Sequence, residues 1–411
     1  MSEASDVLDE LDSAWFTSFR RSLNRWYENN ARDLPWRRTH DAYRIWISEI
    51  MLQQTTVVAV IPYFERFLKR FPTVKKLAAA DEQDVLRLWQ GLGYYSRARN
   101  IHKTAKLIVS DYDGKFPPTA DELQKLPGIG RYTAGAIASF AFDTPAPIVE
   151  ANTLRLYCRL LGYAGDPRSK AGQSLLWNFA ERLLPRKQPG RLNQALMELG
   201  GTLCSVKEPN CATCPVRTKC RAFADGSQAQ IPRPKTRPAI TQLTHVNVIV
   251  RKGSKLLIRQ HTNEERWSGL WDFPRYELTK DLAGLLPPKI GSAASRSLFA
   301  VEPELSQFLQ SEVKQQTGIE TEVGEPFHEL SHAVTRYKIR LVCFNATSLR
   351  GRLGVGAPTK WVGMSELAEL PLSMTARKIA KRLAGSQQPH ACKRSRHGQA
   401  LPCTPGVGCI T

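Results

Sequence analysis

Four cysteines fall within 17 residues in the pattern C-x6-C-x2-C-x5-C: Cys204, Cys211, Cys214 and Cys220. Four sulfurs this close in sequence bend one short stretch of chain round a common point. The other five, Cys158, Cys343, Cys392, Cys403 and Cys409, are scattered. One tight group among isolated cysteines points to a metal centre rather than a disulfide framework. Zinc is the generic occupant, although zinc sites more usually pair two C-x2-C knuckles, and only one is present, at Cys211 and Cys214. Four-cysteine ligation also suits an iron–sulfur cluster. In either case the spacing predicts a metal-holding loop over residues 204–220.

Around that loop, residues 12–225 read almost wholly as helix. Apolar residues recur at three- and four-residue spacing in AYRIWISEIMLQQTTVVAVIPYFERFLKRF (42–71) and QSLLWNFAERLL (173–184). Pro72, Gly91, Gly93, Pro117, Pro118, Pro127, Gly128 and Gly130 punctuate the run. SQAQIPRPKTRPAI (227–240), with three prolines, reads as a stiff linker. Beyond it the period changes. THVNVIVRKGSKLLIRQ (244–260) alternates about a KGSK turn and reads as a hairpin, and KIRLVCFNATSL (338–349) as a strand. SRSLFAVEPELSQFLQSEVKQQTG (295–318) and TARKIAKRLAG (375–385) read as helices. The expectation is a multidomain chain: an all-α domain at 12–226, a linker at 227–240, an α+β domain at 241–384, and a disordered basic tail at 385–411 that contains no acidic residue.

A chain of 411 residues accommodates such an arrangement, at roughly 150 residues per domain. Its net charge of +20 is spread along the sequence and suggests a polyanionic partner. The longest apolar run, AGAIASFAF (134–142), falls well short of the ~18 residues of a membrane span. The acidic, polar start, MSEASDVLDELDSAW, does not read as a secretory signal, so a soluble intracellular protein is expected.

Two local motifs carry chemistry. LPGIGRYTAGAIASF (126–140) follows TADELQKL, where Thr119 and Glu122 are placed as a capping box, so helix, tight turn and helix succeed one another. Gly128 and Gly130 allow positive φ and expose backbone amides at the start of the second helix, an anion site suited to a phosphate. In PAPIVEANTLR (145–155), Glu150 precedes a helical segment for which Asn152 is a natural N-cap. Taken alone, an acid at a helix start is ordinary electrostatics.

LPWR (34–37), SEIMLQQT (48–55), WQGLGYYSRARN (89–100), LPGIGRYTAGAI (126–137) and the cysteine run occur in order. Together they resemble the helix-hairpin-helix DNA glycosylases that carry an iron–sulfur cluster, and within these the adenine DNA glycosylases of the MutY type. The resemblance is dense over about 15–225 and looser over 241–380. It implies a six-helix module at about 40–145, a cluster module of 12–39 plus 146–226, and one four-iron, four-sulfur cluster (4Fe-4S) on Cys204, Cys211, Cys214 and Cys220. It implies that Glu49 is the general acid protonating the leaving adenine at N7. Adenine leaves poorly as an anion, and burial raises a carboxyl pKa so that a proton is held near neutral pH.

The resemblance further implies that Gln53, Gln54 and Thr55 lie by the damaged pair, Gln54 filling the gap left by the extruded base, while Tyr94 wedges from the opposite-strand side. Trp36, Arg37, Leu52 and Val57 would line the adenine pocket, and Gly128 and Gly130 would grip the DNA backbone. Tyr132 stands where strand-cleaving sister enzymes carry a lysine. A tyrosine forms no Schiff base, so the implied activity is monofunctional. Glu150 falls where the family carries an aspartate in D-G-N; here the sequence is E-A-N. An anion there would stabilise the oxocarbenium-like sugar or capture it at C1′, with Asn152 orienting it. The charge is retained, but a displacement of about 1 Å can lower a rate ~10²-fold. The alternative is therefore a catalytically weakened lesion-binding homologue.

WSGLWDFPRYE (267–277) resembles the Nudix-like domain with which this family inspects 8-oxoguanine. SEVKQQTGIE (311–320) lacks the R-E-x-x-E-E pattern with which a working Nudix hydrolase holds metal, so recognition without hydrolysis is expected. The family's F-S-H reading loop is Leu330-Ser331-His332 here; Ser331 and His332 match, and Leu330 replaces the aromatic. The whole expectation is a monomeric, monofunctional adenine DNA glycosylase of base excision repair. It would act on adenine opposite 8-oxoguanine or guanine in double-stranded DNA, away from membranes, in the cytoplasm or nucleoid if bacterial. Two rivals are a bifunctional glycosylase/lyase for oxidised pyrimidines, opposed by the tyrosine at 132 and the C-terminal domain, and a Nudix-type hydrolase, opposed by its missing carboxylates.

Overall fold

A computed structural model describes residues 8–234, 239–287, 290, 301–354 and 356–385. These divide into two compact units, 8–244 with 261–270 and 331–340, and 245–260 with 271–330 and 341–385.

The first unit is helical. Its elements are α1 (Ser13–Asn30), α2 (Ala42–Leu52), α3 (Val57–Arg70), α4 (Val74–Ala78), α5 (Glu82–Trp89), α6 (Ser96–Asp111), α7 (Ala120–Leu123), α8 (Arg131–Phe142), α9 (Ala151–Leu161), α10 (Lys170–Leu183), α11 (Pro189–Thr202) and α12 (Arg221–Ala224). Side-chain caps start many of them. Asp12, Asp41, Thr73, Asp81 and Ser169 each accept from amides of the first turn that have no intrahelical partner. The helices bury two separate cores. One gathers Trp46, Ile47, Phe64, Phe67, Trp89, Ile101 and Ile137 from α2, α3, α5, α6 and α8. The other gathers Phe19, Leu23, Leu156, Phe179, Leu196 and Leu199 from α1, α9, α10 and α11.

Three points refine the reading of the sequence. The helical run 42–71 is divided into two helices: α2 ends at Leu52 and α3 begins at Val57, because Gln53 to Thr56 offer no apolar side chain to the core and Gln54 takes left-handed backbone, φ 57°. In the hairpin, Gly128 does adopt positive φ, 77°, and a Cβ there would stand 2.7 Å from Cβ of Asn100. Gly130 does not; it is extended, φ −85°, and serves as the N-cap of α8. Third, Thr119 Oγ1 accepts from the Glu122 amide as expected, but its hydroxyl then donates to the Glu122 carboxylate at 2.9 Å.

The second unit is built on a seven-stranded sheet: β1 (Thr241–Lys252), β2 (Lys255–Gln260), β3 (Trp271–Asp272), β4 (Arg275–Glu277), β5 (Ile319–Val334), β6 (Tyr337–Gly351) and β7 (Thr359–Val362). The order is β3-β2-β1-β6-β5, with β4 on β1 and β7 on β2. The expected hairpin is present, Arg251 pairing Leu256 about Gly253. Alternation buries both faces. Val246, Val248, Val250, Val342 and Phe344 pack with Leu305, Leu309 and Val313 of α14 (Pro303–Thr317). Ile249, Ile258, Leu341 and Cys343 pack with Ala376, Ile379 and Leu383 of α16 (Met374–Gly385). Two short helices, α13 (Lys280–Gly284) and α15 (Met364–Glu369), complete it. Residues 235–238 of the linker, 295–300 of the expected helix and 386–411 of the tail lie outside the described residues. Among the described residues no helix is long and apolar enough to cross a membrane.

Candidate active site

A cavity of about 440 Å³ opens in the first unit, lined by apolar residues of the first core and by polar residues of the segments around it. It brings together Trp36, Arg37, Glu49, Leu52, Gln53, Gln54, Thr55, Val57, Tyr132, Glu150 and Asn152, residues spread over more than a hundred positions of sequence. Glu49 comes from α2, Tyr132 from the first turn of α8, Glu150 and Asn152 from the start of α9. Gly200 of α11 permits the last approach, since a Cβ there would stand 2.9 Å from the Asn152 carbonyl oxygen.

Glu49 is 3% exposed. Tyr132 Oη donates to its Oε2 at 2.6 Å. Burial pushes the Glu49 pKa up from 4.5 to about 7; the Tyr132 hydroxyl and the Arg37 charge pull the other way, and Glu150 adds to the rise. Glu49 is thus a carboxyl that carries a proton close to neutral pH.

Glu150, and not Asn152, is the N-cap of α9. Its carboxylate curls back over the helix start, Oε2 accepting from the Asn152 amide at 2.8 Å and Oε1 from the Thr153 amide at 2.9 Å. Thr153 Oγ1 accepts in turn from the Glu150 amide at 2.9 Å, closing a reciprocal cap. Burial raises the Glu150 pKa, against the two amides and the Arg155 charge. Arg155 donates to Asn152 Oδ1 at 3.0 Å, to the Gly200 carbonyl at 2.6 Å and to the Cys204 carbonyl at 2.8 Å, so the cavity wall and the cysteine loop share one guanidinium.

Sequence reasoning missed several of these groups. Glu198, wholly buried on α11, accepts from Arg32 Nε at 2.6 Å and from Arg37 Nη2 at 2.7 Å. Burial opposes its charge, but the two guanidinium groups outweigh that and hold its pKa below the usual range. The available signal was an acid in the apolar helix stretch ALMELGG. Arg32, Phe140, Gln194 and Met197 also line the cavity, and nothing in their local pattern announces it.

Tyr94, Gly128, Gly130, Ser331 and His332 are not among the lining residues. Tyr94 is 48% exposed and left-handed, φ 48°. Ser331 and His332 lie on β5, the His332 ring 6.5 Å from that of Trp267.

The four cysteines line a second cavity with Leu156, Leu160, Leu203, Val216 and Phe223. Among the described residues no three His, Cys, Asp or Glu side chains are grouped to hold a single ion. Arg159 Nη1 stands 3.3 Å from Cys204 Sγ and donates to the Ser205 carbonyl at 2.6 Å. Four thiols on an apolar cavity, one beside a buried guanidinium, are a donor set that fits an anionic iron–sulfur cluster. In the second unit, Glu320, which ends the stretch compared with the Nudix metal helix, is paired with Lys314 at 2.9 Å and with Arg350.

Comparison with known proteins agrees with this layout. Residues 47–182 match the model of the HhH-GPD superfamily of base excision DNA repair proteins, and residues 245–382 that of the NUDIX domain. An adenine DNA glycosylase of Rattus norvegicus is 33% identical over 96% of this chain and 83% of its own length. One of Buchnera aphidicola (Schizaphis graminum) is 39% identical over 63% of this chain and 75% of its own. A thermostable thymine-DNA glycosylase structure is 27% identical over 52% of this chain and 98% of its own, with a TM-score of 0.48. Identity at that level across nearly the whole of this chain and most of a relative leaves one conclusion: the chain belongs to the adenine DNA glycosylase family and is a DNA glycosylase whose helix-hairpin-helix domain is followed by a Nudix-like one.

Proposed function

We propose that the chain hydrolyses the N-glycosidic bond of adenine mispaired with 8-oxoguanine or guanine in double-stranded DNA, without strand cleavage. The observation that carries the reading is the pairing of Glu49, buried and titrating near 7, with Glu150 in one cavity. Glu49 donates its proton to N7 of the extruded adenine. The C1′–N9 bond breaks, and its electron pair leaves with the now neutral base. The Glu150 carboxylate, fixed by two amides, faces the positive charge that develops at C1′. Water adds to C1′, and the proton it releases replaces the one Glu49 gave. Tyr132 offers no amine to the sugar, so the abasic site is released intact.

Trp36, Leu52 and Val57 give the adenine an apolar slot, with Arg37 at its edge. Gln53, Gln54, Thr55 and Tyr94 enter the duplex, and the amides at Gly128 and Gly130 meet a phosphate. Cys204, Cys211, Cys214 and Cys220 hold one 4Fe-4S cluster; its chemistry at this site is to tie the loop and its basic residues, Lys207, Arg217 and Lys219, into one rigid surface. Residues 241–384 read the opposite base through Ser331 and His332.

The test is single-turnover adenine release from duplexes carrying adenine opposite 8-oxoguanine, guanine or thymine, with wild type beside Glu150→Gln. Release from the first two, none from the third, and collapse in the variant support the reading. Tight binding of the 8-oxoguanine duplex without release by wild type would mean a lesion binder instead.

A further inference from the structure

The two loop tips assigned to the duplex are conformationally strained. Gly91, Gly93 and Tyr94, between α5 and α6, all take left-handed backbone, φ 108°, 71° and 48°, and so does Gln54 after α2. At Tyr94 and Gln54 such backbone persists only where the surroundings hold it. One side chain touches both tips. Arg97, buried in the first turn of α6, donates from Nη1 to the carbonyls of Ile50 at 2.8 Å, Met51 at 3.0 Å and Gln53 at 2.6 Å. From Nη2 it donates to the carbonyls of Leu92 at 3.0 Å and Gly93 at 3.1 Å, and it reaches Thr55 Oγ1 at 3.5 Å.

Five carbonyls, two from the last turn of α2 and three from the two loop tips, therefore meet one planar cation. The Ile50 and Met51 carbonyls belong to the last turn of α2, which lacks intrahelical partners, and a cation at a helix C-terminus is favoured. The Trp89 and Tyr94 rings stand 5.3 and 5.7 Å from the guanidinium carbon. Burial lowers the Arg97 pKa to about 10, which leaves it charged at neutral pH. A lysine carries donors on one point and cannot span the same fork.

We propose that Arg97 is a positioning residue that locks the Gln54 and Tyr94 tips at a fixed separation, so that they enter the duplex together and adenine extrusion is efficient. It acts on extrusion and not on bond cleavage. The inference rests on the glycosylase reading above and on the placement of those two tips against DNA.

The experiment uses the full chain and an 8-oxoguanine duplex with 2-aminopurine in place of adenine, whose fluorescence rises when the base leaves the stack. Wild type is compared with Arg97→Lys and Gly93→Ala. At Gly93 a Cβ meets nothing within 4 Å, so the second variant perturbs only the backbone preference of the tip. Both variants are expected to lower the extruded fraction, Arg97→Lys by about tenfold or more, the worth of one charge-assisted hydrogen bond. Single-turnover adenine release should slow in proportion, while the pH at which release falls stays that of wild type. Extrusion equal to wild type in Arg97→Lys overturns the proposal. So does slower release with intact extrusion and a displaced pH midpoint, which would place the effect on Glu49. If Arg97→Lys does not fold by circular dichroism, Gly93→Ala decides, and unchanged extrusion there overturns the proposal. If wild type neither extrudes the probe nor releases adenine, the glycosylase reading itself fails, a result distinct from failure of the Arg97 role.

Discussion

Replacing Glu49 by glutamine tests the site through stability, independently of DNA. Burial lifts this carboxyl from 4.5 to about 7, so the folded chain holds the proton more tightly than the unfolded one. Its contribution is therefore complete below about pH 4.5 and is lost as pH rises through about 7. At 1.36 kcal/mol per pH unit, the loss totals about 3 kcal/mol, of which about 2.5 kcal/mol develops between pH 5 and pH 8. Glutamine keeps the shape, can still accept from Tyr132 Oη, and never ionises. Urea unfolding of wild type and Glu49→Gln at several pH values should give a stability difference that moves in favour of the variant by that amount across the window. Glu150 is present in both proteins, so the effect of its own burial cancels and only its coupling to Glu49 enters the difference. A difference flat between pH 5 and pH 8, or moving in favour of wild type, would refute a buried carboxyl titrating near 7. Adenine release should fall above about pH 7 in wild type, and the glutamine variant should be slower by about 10²–10⁴-fold, the usual worth of a general acid.

Glu150→Ala should lose release and, with its cap, about 1 kcal/mol of stability, whereas Glu150→Gln should lose release but less stability; denaturant melts beside rate measurements separate the two. Glu198→Gln leaves Arg32 and Arg37 without their shared carboxylate and should lower stability by about 2 kcal/mol by thermal melt, less than a fully enclosed pair because Arg32 is 42% exposed. In Cys214→Ser, bound iron and visible absorbance should both fall sharply; iron content equal to wild type would exclude this thiol as a ligand.

Much of the fold was legible because it follows from local pattern. The change from a three- and four-residue period to a two-residue period separates helices from sheet, and the KGSK turn appears as a hairpin at Gly253. Glu49 was legible as the acid of SEIMLQQT through the family resemblance, and the structure buries it. What local pattern cannot carry is a partner far along the chain. Tyr132 lies 83 residues from Glu49, and Arg32 lies 166 from Glu198. The break at Gln53–Thr56 is held by Arg97, more than forty residues on, which takes the carbonyls that would have continued α2.

Glu150 shows the same limit in reverse. Propensity favours the shorter Asn152 as cap, because a short side chain meets the first-turn amides with less lost freedom. Burial changes the balance: a carboxylate inside the cavity wall needs donors, and Glu150 finds them by turning onto the amides of Asn152 and Thr153. Capping and chemistry are then not alternatives for this residue. The same two amides that start the helix hold the carboxylate at the cavity wall, where, on the function proposed above, it would face the positive charge of the sugar.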